Sequence, residues 1–407
     1  MGMREDAKRI IDEALAFAKP DAAVERAVGF LPEICGKLIP IAIGKAAWQM
    51  AYAAKKQLGE RLSDGIVITK HGYSAGEIEG FTVYEAGHPV PDEDTHRATD
   101  AVLRKTAELS ADDAVLFLVS GGGSALFEKP LCKPEEMASL TDELLASGAS
   151  ITEINAVRKR LSAVKGGKFA LHCAPARVFT VALSDVLGDR ADVIASGPAY
   201  PDPTYKEEVL LIADEYGLHC SDEVRKLLET ETPKELPNAF TRITGSVRQL
   251  CESAERTCAS LGYEPIILTD GLSCEAKEAG AWLASLADSP VSCPTAYICG
   301  GETVVKLTGH GLGGRNQELA LAAAEGLRGK DGVLLFSVGS DGTDGPTDAA
   351  GGIVDGETAD RLENAGYRIP DVLRENDSYH ALAAVDGLLF TGPTGTNVND
   401  LTVLLIR

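Results

Sequence analysis

Several stretches of this chain combine residue types suited to holding anions such as phosphate or carboxylate. In LFLVSGGGSALF (116–127) an apolar strand-like run stops at Ser120, and Gly121, Gly122, Gly123 and Ser124 follow. Glycines without Cβ atoms let backbone N–H groups fold closely around a phosphate or carboxylate. A helix starting there would add partial positive charge. The plain alternative is a tight turn after a strand. No Gly-Lys-Ser/Thr follows at the spacing of a P-loop. Gly44-Lys45 follows the apolar run Leu38–Ile43 and precedes a helical stretch, which puts a mobile cation at a helix start. A surface lysine in a short turn is the alternative. Four glycines at 309, 311, 313 and 314 lead into Arg315-Asn316 and a helix, which predicts a second anion site. The arginine fork suits phosphate or carboxylate, with a capping or salt-bridging arginine as the plain reading.

Carboxylates gather at other strand ends. Asp185 and Asp189 leave the strand 178–183, and Asp341, Asp344 and Asp348 leave the strand 333–338. Either group could hold Mg²⁺, act as a base, or cap turns; the 341–348 spacing is not that of an EF-hand. Residues 152–171 read as one long helix with a kink at Gly166-Gly167. It carries Arg158, Lys159, Arg160, Lys165 and Lys168, the densest basic segment. That segment is either an attractor for anions or a solvated face. His88, in a loop stiffened by Pro89 and Pro91, reads as structural, with a ligand contact as the alternative.

The elements that must position these residues alternate. Strands are expected at 38–43, 65–69, 81–85, 114–119 and 178–183, and again at 264–268, 295–299, 333–338, 388–391 and 401–406, with helices between most of them. Alternation means βαβ units and a mainly parallel sheet, whose ligands bind beyond the carboxyl ends of the strands. Lys45, His71, His88 and the triple glycine all fall at such ends, so one cleft accounts for them. The chain of 407 residues suggests two α/β domains, 1–235 and 236–407.

Composition narrows the class. With 61 acidic and 39 basic residues the net charge is −22, which argues against nucleic acid or an anionic membrane as partner. No apolar run is long enough to span a bilayer. The N-terminal residues 5–28 read as an amphipathic helix and not a signal peptide. Nine scattered cysteines without a CxxC pair or zinc spacing fit free thiols in a reducing cytoplasm.

Taken together, AIGKAAWQMA (42–51), EAGHPVPDEDT (85–95), FLVSGGGSALF (117–127), INAVRKRLSAVKGGKFA (154–170), LSDVLGDRADVIASGPAYPDPT (183–204), GGETVVKLTGHGLGGRNQELAL (300–321), GSDGTDGPTDAAGGIVDG (339–356) and TGPTGTNVNDL (391–401) resemble the glycerate kinases that carry a C-terminal MOFRL domain. The resemblance implies an N-terminal Rossmann-like three-layer α/β/α domain, a C-terminal MOFRL-type α/β domain and a cleft between them. It implies ATP-dependent, Mg²⁺-dependent phosphorylation of D-glycerate to 2-phosphoglycerate in the cytoplasm. Lys45 and Arg315 occupy the positions of residues essential in that family. Other assignments follow from chemistry. Asp185 is catalytic. Ser120, Gly121, Gly122, Gly123, Ser124, Lys165, Gly314, Asn316 and Asn399 contact the cofactor. Asp189, Asp341 and Asp344 hold the metal, although base and ligand remain interchangeable among the four aspartates. The expected partners are D-glycerate and ATP alone, in a monomer or homodimer. The rival expectations are a kinase for a related sugar acid, a 3-position product, or a hydroxypyruvate reductase. The reductase would need a GxGxxG loop, and its third glycine is missing from Gly121–Ser124.

Overall fold

The apolar runs become two six-stranded sheets in a computed structural model that describes residues 2–407. The chain divides into two units, residues 23–244 and residues 1–22 with 245–407.

In the first of these, β1 (Leu38–Ile43), β2 (Gly65–Lys70), β3 (Phe81–Ala86), β4 (Ala114–Val119), β5 (Arg177–Leu183) and β6 (Ala239–Gly245) form a sheet in the order β3-β2-β1-β4-β5-β6. Pairings from β3 through β5 are parallel. Both faces are covered. Ile39, Ile41 and Ile43 pack in one apolar cluster with Phe117, Phe127 and Phe169; Leu38 and Ala42 pack in another with Ala47, Met50 and Ala54. Alternate residues of one strand therefore enter different cores, which is why these strands read as continuous apolar runs. The result is the expected three-layer Rossmann-like arrangement. The strand order reverses at β1, so a crevice opens between the carboxyl ends of β1 and β4.

In the other unit, β7 (Glu264–Leu272), β8 (Thr295–Gly301), β9 (Val333–Gly339), β10 (Gly351–Asp355), β11 (Leu388–Leu389) and β12 (Asp400–Ile406) form the order β11-β10-β9-β12-β8-β7. This sheet is mixed. β7 and β8 are parallel, while β12 runs antiparallel between β8 and β9. The start of β12 therefore lies beside the carboxyl ends of both neighbours, with Asp400 opposite Gly301 and Gly339.

Three boundaries differ from expectation. β6 extends the first unit beyond residue 235, because a strand that pairs at the sheet edge belongs to that sheet. The N-terminal helical stretch is two helices, Met3–Ala18 and Pro20–Val28, and Pro20 opens the second. The first of them belongs with the second unit. Its apolar stripe (Ile10, Ile11, Ala14, Leu15) packs on Leu250, Phe336 and Val403. Its buried Asp6 accepts from the Tyr263 hydroxyl at 2.8 Å and pairs with Arg407. The stripe announced a buried face but not what it meets. Finally, the single helix at 152–171 is two, Ile151–Leu161 and Lys168–Cys173, broken at Gly166 and Gly167, both with positive φ.

Candidate active site

The turn after β1 and the loop after β4 are stitched at the crevice. Lys45 N–H donates to Gly121 O at 2.9 Å, and Ala46 N–H to Ser120 Oγ at 3.1 Å. Ser120 Oγ in turn donates to Ile43 O at 3.2 Å. A Cβ on Gly44 would stand 2.3 Å from Ser120 Oγ, so only glycine permits the approach. Ser120 is thus consumed in joining two loops, and a cofactor contact by its buried hydroxyl does not fit.

The loop itself presents two donors. Among the described residues no acceptor meets the N–H groups of Gly121 and Gly122, whereas Gly123 N–H is taken by Ser120 O at 3.3 Å. The helix that follows is one turn, Gly123–Leu126, so the expected dipole contribution is small. Phe127 fixes the loop from below. Its ring sits 5.8 Å from Phe117 and 5.2 Å from Phe169. Ser124 Oγ lies 3.0 Å from the hydroxyl of Ser196, which lies 3.4 Å from Asn155 Oδ1. Ser196 and Ala195 both hold positive φ, and Ala195 Cβ packs where Gly123 lacks one. Backbone strain of this kind persists where surrounding structure enforces it. Ser196 carries no local signal in the sequence, because a non-glycine residue in that conformation leaves no pattern to read.

Side chains surround this loop. Lys45 is half-buried, and among the described residues its ammonium has no carboxylate or carbonyl partner. From Gly122, whose φ is +83°, a Cβ would stand 3.0 Å from Nε2 and Cδ2 of His88 and 3.3 Å from Lys45 Cγ. From Gly121 a Cβ would stand 2.5 Å from Asp185 Oδ2. Lys45, His88, Asp185, Gly121 and Gly122 therefore share one spot. Asp189 sits four residues on, in a left-handed turn with its N–H on Val186 O at 3.2 Å. His71, also at a strand end, is bound to Asp92 at 2.9 Å.

Lys165 does not reach this spot. Its ammonium is fully buried and donates to Ser124 O at 2.6 Å, Phe127 O at 3.2 Å and Glu128 Oε2 at 2.6 Å. Burial pulls its pKa down to about 8 against the pull of Glu128. It braces the glycine loop from behind, and the expected cofactor contact is withdrawn. Its neighbours behave alike. Lys159 pairs with Asp202 at 3.1 Å, and Arg160 donates to the carbonyls of Thr230 and Thr204. The basic segment is neither an anion attractor nor a solvated face: Lys159 and Arg160 hold residues 200–234, Lys165 and Arg158 face Glu128, and Lys168 donates to carbonyls of its own segment.

In the second unit Arg315 heads the helix Arg315–Leu327, and three carboxylate oxygens hold it. Nε and Nη2 donate to the two oxygens of Asp400 at 2.6 and 3.0 Å, and Nη1 to Glu302 at 2.9 Å. Three of the five guanidinium N–H bonds are used, and two remain. The side chain is 33 % exposed, Glu302 47 % and Asp400 7 %. Burial pushes Asp400 up to about 6 against the pull of the arginine. Burial also works against the Arg315 charge, but the Asp400 hydrogen bonds outweigh it and raise its pKa.

The anion site expected in the glycine run before Arg315 is not formed. Gly309 N–H donates to Asn376 Oδ1, Gly311 N–H to Glu375 O and Leu312 N–H to Asp377 Oδ1. The helix start is capped by Asp344, which accepts from the N–H groups of Asn316 at 3.1 Å and Gln317 at 2.9 Å. Gly314 serves that cap, since its Cβ would stand 2.2 Å from Asp344 Cγ. Asp344 is buried with both oxygens occupied, so it does not fit a metal ligand, and Gly314 does not fit a cofactor contact. Asn316 is also buried, accepting from Ser337 Oγ at 2.6 Å, and is withdrawn likewise. Asp341 is partly exposed; its Oδ1 accepts from Thr343 N–H at 3.0 Å. Asn399 is buried with φ +65°, and among the described residues its Nδ2 meets no acceptor. Asp400 and Glu302, missed in the sequence, are the new members here. The signal available was a carboxylate at a strand boundary: Asp400 opens β12, and Glu302 follows the end of β8.

The comparisons agree with this architecture. Residues 6–229 match the model of a domain of unknown function, DUF4147, and residues 295–400 match the MOFRL family. The chain is 50 % identical to a D-glycerate 2-kinase of Thermotoga maritima, over 99 % of this chain and 98 % of that one. It is 40 % identical to a glycerate 2-kinase of Pyrococcus horikoshii, over 100 % of this chain and 98 % of that one. The crystal structure of a Thermotoga maritima glycerate kinase superposes with a TM-score of 0.96, covering 100 % of this chain and 99 % of that one at 50 % identity. A chain matched end to end in sequence and fold belongs to the family of MOFRL-domain glycerate kinases.

Proposed function

We propose that this protein transfers the γ-phosphoryl group of ATP to D-glycerate, giving 2-phosphoglycerate, with Mg²⁺ accompanying the nucleotide. The observation that carries the reading is Lys45: its side chain passes Gly122, and among the described residues its ammonium and the N–H groups of Gly121 and Gly122 meet no partner, at the reversal of a parallel sheet, in a chain of net charge −22. Phosphoryl transfer asks for positioning and charge neutralisation. Lys45 and the N–H groups of Gly121 and Gly122 would hold the transferring phosphoryl oxygens with little reorganisation. Arg315, fixed on one side by Asp400, keeps two N–H bonds for the anionic partner.

Mg²⁺, when bound, would offset polyphosphate charge. Asp185 fits that role by its chemistry: a partly exposed carboxylate at a strand end, against the glycine loop. Asp189 and Asp341 remain as further carboxylates, whereas Asp344 does not fit. All nine cysteines are unpaired, which suits a reducing cytoplasm. Among the described residues no helix is long and apolar enough to cross a membrane.

The test couples product to enolase, pyruvate kinase and lactate dehydrogenase, with ADP followed separately. Signal without added phosphoglycerate mutase supports 2-phosphoglycerate. Signal only with the mutase assigns the 3-position. No glycerate-dependent ADP removes glycerate as the acceptor.

A further inference from the structure

We propose that His88 is the general base of this site, taking the proton from the acceptor hydroxyl through Nε2. The proposal rests on the kinase reading above and adds a catalytic group to it.

Three observations point the same way. First is position. The ring edge that carries Nε2 lies 3.0 Å from the point where a Cβ on Gly122 would stand, and Cγ of Lys45 lies 3.3 Å from the same point. A phosphoryl group held by Lys45 and the glycine N–H groups is therefore brought beside this imidazole. Second is availability. Among the described residues neither ring nitrogen of His88 has a hydrogen-bond partner. Four of the six other histidines are occupied, His71 by Asp92, His172 by Leu103 O, His219 by Glu143 and His380 by Asp377; His96 lies on the helix Glu93–Thr106 and His310 in the glycine run before Arg315. A half-buried imidazole with two unmet nitrogens is poorly explained as a structural residue. Third is protonation. Burial first, then Lys45 and Lys70, hold His88 below the ordinary histidine value, so it is neutral near pH 7 and free to accept a proton. Asp185 reaches the same loop at Gly121. The nearby Asp92 carboxylate is engaged by His71 and Thr95.

The step balances simply. As the hydroxyl oxygen forms its bond to the γ-phosphorus, its proton moves to Nε2 of His88. The bond from that phosphorus to the bridging oxygen breaks, and its electron pair leaves with the nucleoside diphosphate. The imidazolium then loses its proton to water. Lys45 and Lys70 disfavour the imidazolium and so speed that return.

The experiment is steady-state kinetics of His88→Ala and His88→Gln, with D-glycerate, ATP and Mg²⁺, beside wild type. A positioned base contributes roughly 10²–10⁴-fold, so kcat should fall by at least about 10² with KM for either substrate nearly unchanged. Added imidazole should restore part of the His88→Ala rate in proportion to its neutral form. A merely structural histidine would not show that rescue. If the alanine variant does not fold, His88→Gln carries the kcat comparison alone. Wild-type activity with either variant within about threefold of it, or a deficit in KM alone, overturns the assignment. Absence of glycerate-dependent ADP in wild type overturns the kinase reading, and this step with it.

Discussion

Replacing Asp400 with Asn tests whether Arg315 is held from behind by a buried carboxylate. Asp400 takes two N–H bonds of Arg315, at 2.6 and 3.0 Å, and is 7 % exposed. The amide keeps the shape but presents its own donors to one guanidinium nitrogen and removes the counter-charge. Breaking a fully buried ion pair costs about 3–5 kcal/mol. Arg315 is one-third exposed and Glu302 still holds Nη1, so about 2–4 kcal/mol is the expected loss. For a domain of roughly 150–250 residues that lowers the melting transition by roughly 4–16 °C. The unclamped guanidinium also loses its orientation, and a misplacement of about 1 Å lowers kcat by on the order of 10²-fold. Glu302→Ala is the internal contrast. Its oxygen lies as close, 2.9 Å, but the carboxylate is half exposed, so the pair is worth at most about 1 kcal/mol. Calorimetry and glycerate-dependent ADP formation read both variants. Equal losses from the two substitutions, or an Asp400→Asn enzyme within about threefold of wild type and unchanged in melting, would refute the argument from burial.

Three further outcomes follow from the same contacts. Lys165→Met leaves Glu128 buried with Arg158 at 3.7 Å as its nearest cation and the Lys129 N–H at 3.0 Å, so stability should drop by about 3 kcal/mol while KM for ATP stays put. A large rise in that KM would return Lys165 to the cofactor site. Gly122→Ala puts a Cβ into a left-handed residue and within 3.0 Å of His88, and should lower kcat by on the order of 10²-fold at a cost of about 1–2 kcal/mol; circular dichroism and kinetics distinguish the two effects. Burial works to raise the Asp92 carboxyl, but the bonds from His71, Thr95 and Gly87 outweigh it and hold it well below the ordinary value. A carboxylate lowered by folding lends stability above its unfolded pKa of about 3.9 and loses it as pH falls further. The stability gap between wild type and Asp92→Asn should therefore be widest near pH 5 to 6, close below about pH 4, and shrink again above about pH 6.5 as His71, whose pKa Asp92 raises, loses its proton. A gap that widens in acid would contradict the sign.

What could be read from the sequence was local. Apolar runs ending in Gly44-Lys45 and Ser120–Ser124 announce strand ends, and parallel sheets gather strand ends on one edge. The approach of Lys45 to the glycine loop was legible for that reason. The glycines at 166–167 likewise marked a true break in the helical pattern. Pairings across long sequence distance were not legible. Lys165 meets Glu128, Arg315 meets Asp400 and Asp344 caps a helix 28 residues earlier. A lysine or aspartate looks the same in sequence whether it faces a ligand or a buried partner. The glycine run at 309–314 misled for a related cause. Glycine permits close approach, but whether to an anion or to the backbone of Glu375 is settled only by the fold.

The most direct test of the central claim is Lys45→Ala in the glycerate-dependent ADP assay. Among the described residues the Lys45 ammonium meets no ion-pair or hydrogen-bond partner, so its loss strands no buried charge and the melting temperature should stay within about 2 °C of wild type. Removing the one full charge aimed at the transferring group should lower kcat/KM by about 10³-fold or more. An enzyme that melts like wild type and loses turnover to that extent is the predicted result. Turnover within about tenfold of wild type would contradict the claim that phosphoryl transfer takes place at this loop.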